Sequence, residues 1–296
     1  MPATSEILRV PSGDLALEVR EHSPAGPGRP TVVLVHGYPD QQDTWAALID
    51  RLPLDSWHVV TYDVRGAGRS DAPAGRDGYR TQRLVDDLVA VLDAVLPDGE
   101  RVHLLGHDWG SAQLWDALAV EPDHPGLRGR IATYTSVSGF SLDHAGWLLA
   151  HRQGRRGAVV RQLLKSWYVG YFCLPVLPAL TWRLGHRTIA RVLTQREGLP
   201  ADHWGPGLRR NAVNGLELYR ANILRRVRRP RRLRTDVPVL VVYAERDGYI
   251  SPLTLEDLDV PCADVRVERL DAGHWCIVTH PDEVAALLVR HVAEHP

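Results

Sequence analysis

Lysine is almost missing from this chain of 296 residues: Lys165 is the only one among 35 Lys+Arg residues. So strong a bias toward arginine points to a GC-rich genome and says little about chemistry. Cysteine is scarce too. Cys173, Cys262 and Cys276 are odd in number, scattered, and form no C-x-x-C pair, so neither a disulfide framework nor a zinc site is expected and a cytoplasmic, reducing compartment is. Net charge is nearly absent. With 35 basic against 36 acidic residues the balance is -1 at pH 7, which gives no global reason to expect nucleic acid or an anionic membrane as partner. A small neutral molecule is the default. Long apolar runs are lacking as well: Ser166 to Trp182, the longest uncharged stretch, contains Pro175 and Pro178 and falls short of a bilayer span. No stable membrane insertion is expected, and the stretch reads as pocket lining. The opening residues, MPATSEILRVPSGD, carry no basic segment followed by an apolar one, so no secretion signal is expected.

What is present is alternation. Ile7 to Pro11 and Leu15 to Glu21, split by Ser-Gly-Asp, predict a hairpin. The apolar runs Thr31 to Gly37, Trp57 to Val64, Arg101 to Asp108 and Arg130 to Gly139 read as buried strands. Helical spacing intervenes at Asp40 to Leu52, Leu84 to Leu96 and Trp109 to Val120. Strand and helix in turn imply an α/β fold, a mostly parallel sheet of eight strands with helices on both faces. From 141 to 233 the pattern breaks into helices and loops, then resumes with the strands Pro238 to Asp247 and Asp264 to Gly273 and a terminal helix near Asp282 to His295. The expected organisation is a core of 1–140 and 234–296 with a helical cap of 141–233 over the carboxyl ends of the strands, where such sheets bind ligands. The patch RRVRRPRRLR, Arg225 to Arg234, reads as a solvated return from cap to sheet in preference to a phosphate or nucleic-acid site.

Chemistry concentrates at strand ends. Leu104 to Ser111, LLGHDWGS, is a strand-to-helix turn with Gly106 and Gly110 flanking Asp108, the spacing of a nucleophile elbow. Asp108 merely capping the next helix is the plain alternative. Two further strand ends carry Asp247 and His274, which gives the order nucleophile, acid, base. Glu245 and Asp143 are rivals for the acid. Backbone N–H groups of Trp109, at a helix start, and Tyr38, in HGYP, are the candidate oxyanion donors, and Pro39 is a candidate for a preceding cis peptide.

Aspartate at the elbow needs a reason. A serine attacking an sp3 carbon would leave an ether that activated water cannot cleave, whereas a carboxylate leaves an ester whose carbonyl carbon accepts water. Substitution at an alkyl carbon is therefore expected, by epoxide opening or by halide displacement.

HGYPD, DVRGAGRS, GHDWGS, AERD and AGHW, spread over residues 36–275, resemble the α/β-hydrolase-fold epoxide hydrolases, notably actinobacterial ones that in some chains are fused to a short-chain reductase; here the chain ends with the expected last helix of the hydrolase. The resemblance implies two cap tyrosines that hold the epoxide oxygen. YVGYFCLP matches Tyr168, with Tyr171 as its understudy, and LELYRAN matches Tyr219. Cys173 stands where the family often has glutamine. The resemblance thus implies hydrolysis of an epoxide to a diol, and the apolar Ser166 to Trp182 stretch with the nine tryptophans points to an apolar or aromatic one, in secondary metabolism or lipid turnover, with Trp109, Trp167, Tyr171, Trp182 and Trp275 around the substrate. Water is the second reactant, no metal or organic cofactor is required, and a monomer or homodimer is expected. Haloalkane dehalogenation is the alternative, although such enzymes often place asparagine where Tyr38 stands; a non-catalytic ligand-binding protein of the same fold is a third reading.

Overall fold

The computed structural model describes residues 6–97, 99–151, 154 and 156–296. Part of the expectation about a leader, at residues 1–5, lies outside them, as do Arg152, Gln153 and Arg155 of the expected cap. Eight strands form one sheet: β1 Glu6–Ser12, β2 Leu15–Glu21, β3 Thr31–Val35, β4 His58–Tyr62, β5 Val102–His107, β6 Ile131–Val137, β7 Val239–Ala244 and β8 Val265–Leu270. Their order is β1-β2-β4-β3-β5-β6-β7-β8. The hairpin of β1 and β2 and the β2–β4 pair are antiparallel, and every other neighbouring pair is parallel. This is the α/β-hydrolase fold expected from the sequence.

Every residue of β3 and β4 is buried, and the two-residue period of a strand sends alternate side chains to opposite faces. Val33 and Val35 meet Leu88 and Val91 of α2 (Thr81–Val95) and Leu114 and Leu118 of α3 (Trp109–Val120). Val32 and Leu34 meet Leu48 of α1 (Ala46–Ile49), Ile277 of α9 (Cys276–Thr279) and Leu288 of α10 (Pro281–Ala293). Each such side chain contributes about 1.5–3 kcal/mol by leaving water, so helices cover both faces. The helix expected over Asp40 to Leu52 is shorter: a 3-10 turn, Gln42–Trp45, leads into α1. Asp40 is drawn out of it by Trp275, whose Nε1 donates to it at 2.8 Å, and by His203 at 3.0 Å.

Between β6 and β7 the described residues form α4 Leu142–Ala150, α5 Arg156–Lys165, α6 Trp167–Phe172, α7 Leu177–Glu197 and α8 Leu208–Arg228, here called the cap. The basic patch at its end is a solvated return in most of its length, with Arg225, Arg228, Arg229, Arg232 and Arg234 exposed, but Arg226 and Arg231 depart from that expectation. Arg226 is buried and pairs with Asp116 of α3 and, at 3.1 Å, with Asp143 of α4. Arg231 reaches the same two carboxylates at 2.7 and 3.0 Å, and its backbone N–H donates to Asp143 at 2.8 Å. Two buried carboxylates between the cap and α3 require these cations, because a buried charge left without a partner is strongly destabilising. Asp143 is therefore occupied and is not the acid of a triad.

Candidate active site

β5 runs straight into α3 through Asp108, a non-glycine residue at φ 52°, ψ −118°. Such a backbone costs about 1–3 kcal/mol and lifts the side chain above the sheet edge. It also demands close approach. A Cβ on Gly110 would lie 1.9 Å from the carbonyl oxygen of Val35, and one on Gly37 would lie 2.5 Å from the Asp108 side chain. The Tyr38 N–H donates to Asp108 Oδ1 at 2.7 Å, and the Tyr38–Pro39 peptide is cis. Trp109 is the first residue of α3, where backbone N–H groups have no acceptor within the helix.

The loops after β7 and β8 bring the other two groups. His274 Nδ1 donates to Asp247 Oδ2 at 2.7 Å, and His274 Nε2 faces Asp108 Oδ2 at 3.6 Å. Asp247 Oδ1 accepts from the N–H groups of Tyr249 and Ile250 at 2.6 and 3.0 Å. Burial alone would raise the Asp247 pKa, but His274 and these two donors outweigh it and hold the carboxyl below its usual range. Burial likewise opposes charge on His274, yet Asp247 and Asp108 together push it up to about 10. The resting imidazole is thus an imidazolium between two carboxylates. Glu245 stands apart, 3.9 Å from Arg269 and half-exposed.

A cavity of about 590 Å³ lies between this set and the cap. Asp108 and His274 form its floor, and Tyr168 and Tyr219 its cap side. Their rings are 6.3 Å apart. Burial pushes the Tyr219 phenol well above its ordinary value, with Tyr168 and Asp108 adding and the Trp109 indole opposing. Tyr168 is shifted the same way, by burial first and then by Asp108 and Asp247. Both phenols stay protonated and can donate.

Of the expected substrate neighbours, Tyr171, Trp182 and Trp275 line the cavity and Trp167 is at its rim, 70% exposed. Tyr171 shares a hydrogen bond of 2.6 Å with Thr181. Trp109 is not among the lining residues: its ring packs beside Tyr219, 5.0 Å between centroids, because α3 turns that side chain under the cap. The sequence reading did not single out Phe172, Tyr249, His107 or Lys165 for the site, nor Leu164, Ile189, Leu193 and Arg196, which also line the cavity. Phe172 and Tyr249 line the cavity, the latter with its ring 4.8 Å from His274. His107 Nε2 donates to the His274 carbonyl at 3.0 Å, and burial lowers its pKa to about 4, so it holds the His274 backbone as a neutral ring. Lys165, on α5, donates to the carbonyls of Asp247 and Ile250 at 2.7 and 2.9 Å. Its being the only lysine, and His107 preceding the elbow residue, were the available signals.

Residues 30–157 match the family described as alpha/beta hydrolase fold. The chain is 32% identical over 298 residues to the probable oxidoreductase EphD of Mycobacterium tuberculosis, covering 97% of this chain but 49% of that protein. It therefore spans about half of that relative's length. It is 30% identical over 276 residues to the AB hydrolase superfamily protein YfhM of Bacillus subtilis, covering 89% of this chain and 90% of that one. Among solved structures, an epoxide hydrolase from Bacillus megaterium superposes with a TM-score of 0.79 at 21% identity, covering 97% of this chain and 100% of that one, a likeness of fold.

Proposed function

The chain belongs to the α/β-hydrolase superfamily, and on that premise we propose that it hydrolyses an apolar or aromatic epoxide to a vicinal diol through an ester on Asp108. The observation that carries this reading is a carboxylate at the elbow facing two protonated phenols, Tyr168 and Tyr219, across one apolar cavity.

In the first step Asp108 Oδ2 attacks an epoxide carbon, the C–O bond of the ring breaks, and a phenol protonates the oxygen. One such donor contributes about 10²–10⁴-fold. The phenol regains its proton from the His274 imidazolium. Oδ1, already held by the Tyr38 N–H at 2.7 Å, becomes the ester carbonyl oxygen. Once Asp108 is esterified its charge is gone, so one of the two carboxylates that hold His274 up to about 10 no longer acts on it. The neutral ring then takes a proton from water, whose oxygen adds to the ester carbonyl carbon. The N–H groups of Tyr38 and Trp109 stabilise the tetrahedral oxyanion. Collapse breaks the ester bond, and the alkoxide leaves with the remaining proton of the added water, which restores Asp108 and the imidazolium. Nothing in these steps calls for a metal or organic cofactor. Residues 141–233 serve as the cap, and the cytoplasm is the compartment this reading favours.

Halide displacement has less support. It needs free N–H donors at the leaving atom, and the indole N–H of Trp275 is committed to Asp40, that of Trp182 to the Tyr38 hydroxyl and that of Trp109 to the Tyr219 hydroxyl.

The decisive experiment is the intact mass of His274→Gln after exposure to a panel of epoxides and haloalkanes. A gain equal to a whole epoxide is expected. A gain equal to a haloalkane less its halide would replace the reading with dehalogenation.

A further inference from the structure

The net charge of -1 conceals a segregation. Residues 141–233 carry 18 basic and 4 acidic side chains, the rest of the chain 17 and 32, so the cap holds +14 and the sheet domain −15. Much of the excess is unpaired: Arg183, Arg187 and Arg191 of α7 make no ion pair among the described residues.

Apolar side chains stand in water beside these arginines. Among the described residues, eleven of the fourteen exposed large hydrophobic ones lie in the cap, which is less than a third of the chain. On α5 and at the start of α6, Val160, Leu163, Leu164 and Trp167 recur at helical spacing and are 54–70% exposed. On α7, Leu177, Leu180 and Leu184 do the same at 46–79%, and their stripe continues into Arg187 and Arg191. Leu164 and Trp167 also rim the cavity that holds Asp108, so the stripe that begins on α5 borders the mouth of the site, while the α7 stripe lies on the side of that helix away from its cavity-lining residues Trp182 and Ile189.

We propose that this face of the cap docks on an anionic lipid surface, its leucines and Trp167 in the acyl boundary and its arginines against the headgroups. Helices with an apolar stripe, a tryptophan and flanking cations lie in such an interface. No helix of the described residues is long and apolar enough to cross a membrane, so contact is with one leaflet. A nucleic acid would leave the leucines unused. A second copy, docked face to face about a two-fold axis, would set one positive cap against another. One consequence rests on the reaction proposed above: an epoxide dissolved in the bilayer enters the pocket without crossing water.

Flotation of the full chain with vesicles tests the docking, using phosphatidylcholine alone or with about one third phosphatidylglycerol. The expected result is binding at least about tenfold stronger to the anionic vesicles, weakened by high salt. Two paired variants outside the cavity lining, Leu177→Asp with Leu184→Asp and Arg187→Glu with Arg191→Glu, should each cut it about tenfold, while thermal unfolding and turnover of a water-soluble epoxide stay at the wild-type level. Absence of wild-type binding overturns the proposal. So does loss in the arginine pair alone, which would mark a plain polyanion site, or a dimer in light scattering that the leucine pair dissolves. Binding is read without turnover, so failure here leaves the epoxide reading intact, and a protein that binds vesicles but opens no epoxide would sink that reading alone.

Discussion

The sheet domain and the cap hold their shares of the site by different means. On the sheet side each polar group is fixed by hydrogen bonds: Asp108 by the Tyr38 N–H, Asp247 by two N–H groups and His274, and His274 by Asp247 and His107. On the cap side the phenols are placed by rings. Tyr219 packs 5.1 Å from Phe172 and 5.0 Å from Trp109, and Tyr168 packs 5.5 Å from both Phe172 and Tyr249. Charge that must be stabilised without reorganisation is set in backbone donors on rigid elements. In the proposed reaction the two phenols only donate a proton to a variable substrate, and packing against rings is enough to place them.

The sharpest break of this contrast comes from Asp247→Asn. Asparagine cannot stabilise the imidazolium, so kcat for diol formation should fall about 10³-fold or more in steady-state assays, as losing the orienting acid does in comparable triads. A drop below tenfold would mean that the hydrogen-bonded half is not the rigid half. Next come the phenols. Tyr219→Phe and Tyr168→Phe should each lower kcat by about 10–100-fold, because one donor survives, and the double variant by more than either. A double variant at the wild-type rate would move the donor role elsewhere. The smallest effect is on stability. His274 is raised from 6.5 to about 10, so its contribution is fully present below pH 6.5 and is lost as pH rises toward 10. Chemical denaturation between pH 7 and 10 should show a steeper fall for the wild type than for His274→Gln, by up to about 1.4 kcal/mol per pH unit; parallel slopes would contradict an imidazolium in the resting site.

The same divide explains what the sequence discloses. β2 and α3 have the bounds read from apolar period and glycine spacing, Leu15–Glu21 and Trp109–Val120, because a buried strand and a helix after an elbow leave a local signature. The positions of Asp108, Asp247 and His274 at strand ends were legible for the same reason. Partnerships across the fold were not. Helical period tells which face is apolar and is silent on what it meets, so the closure of Lys165 on the Asp247 loop, the burial of Arg226, and Trp109 turning beneath Tyr219 all depend on tertiary packing. Tyr249 follows Asp247 by two residues and was still missed, since a loop carries no period at all.

Asp143 stands just after the chain leaves β6, and Arg231 stands shortly before it reaches β7. Because the two are joined, at 2.8 Å through the backbone and 3.0 Å through the side chains, the inserted segment is a loop closed at its neck. β6 and β7 pair directly, Tyr134 opposite Val239, whatever hangs from that neck. In evolutionary terms the segment is a cassette: a different helical insert joined at the same neck would keep Asp108 and His274 of the sheet domain, while Tyr168, Tyr219 and Lys165, which this insert supplies, would be exchanged with it.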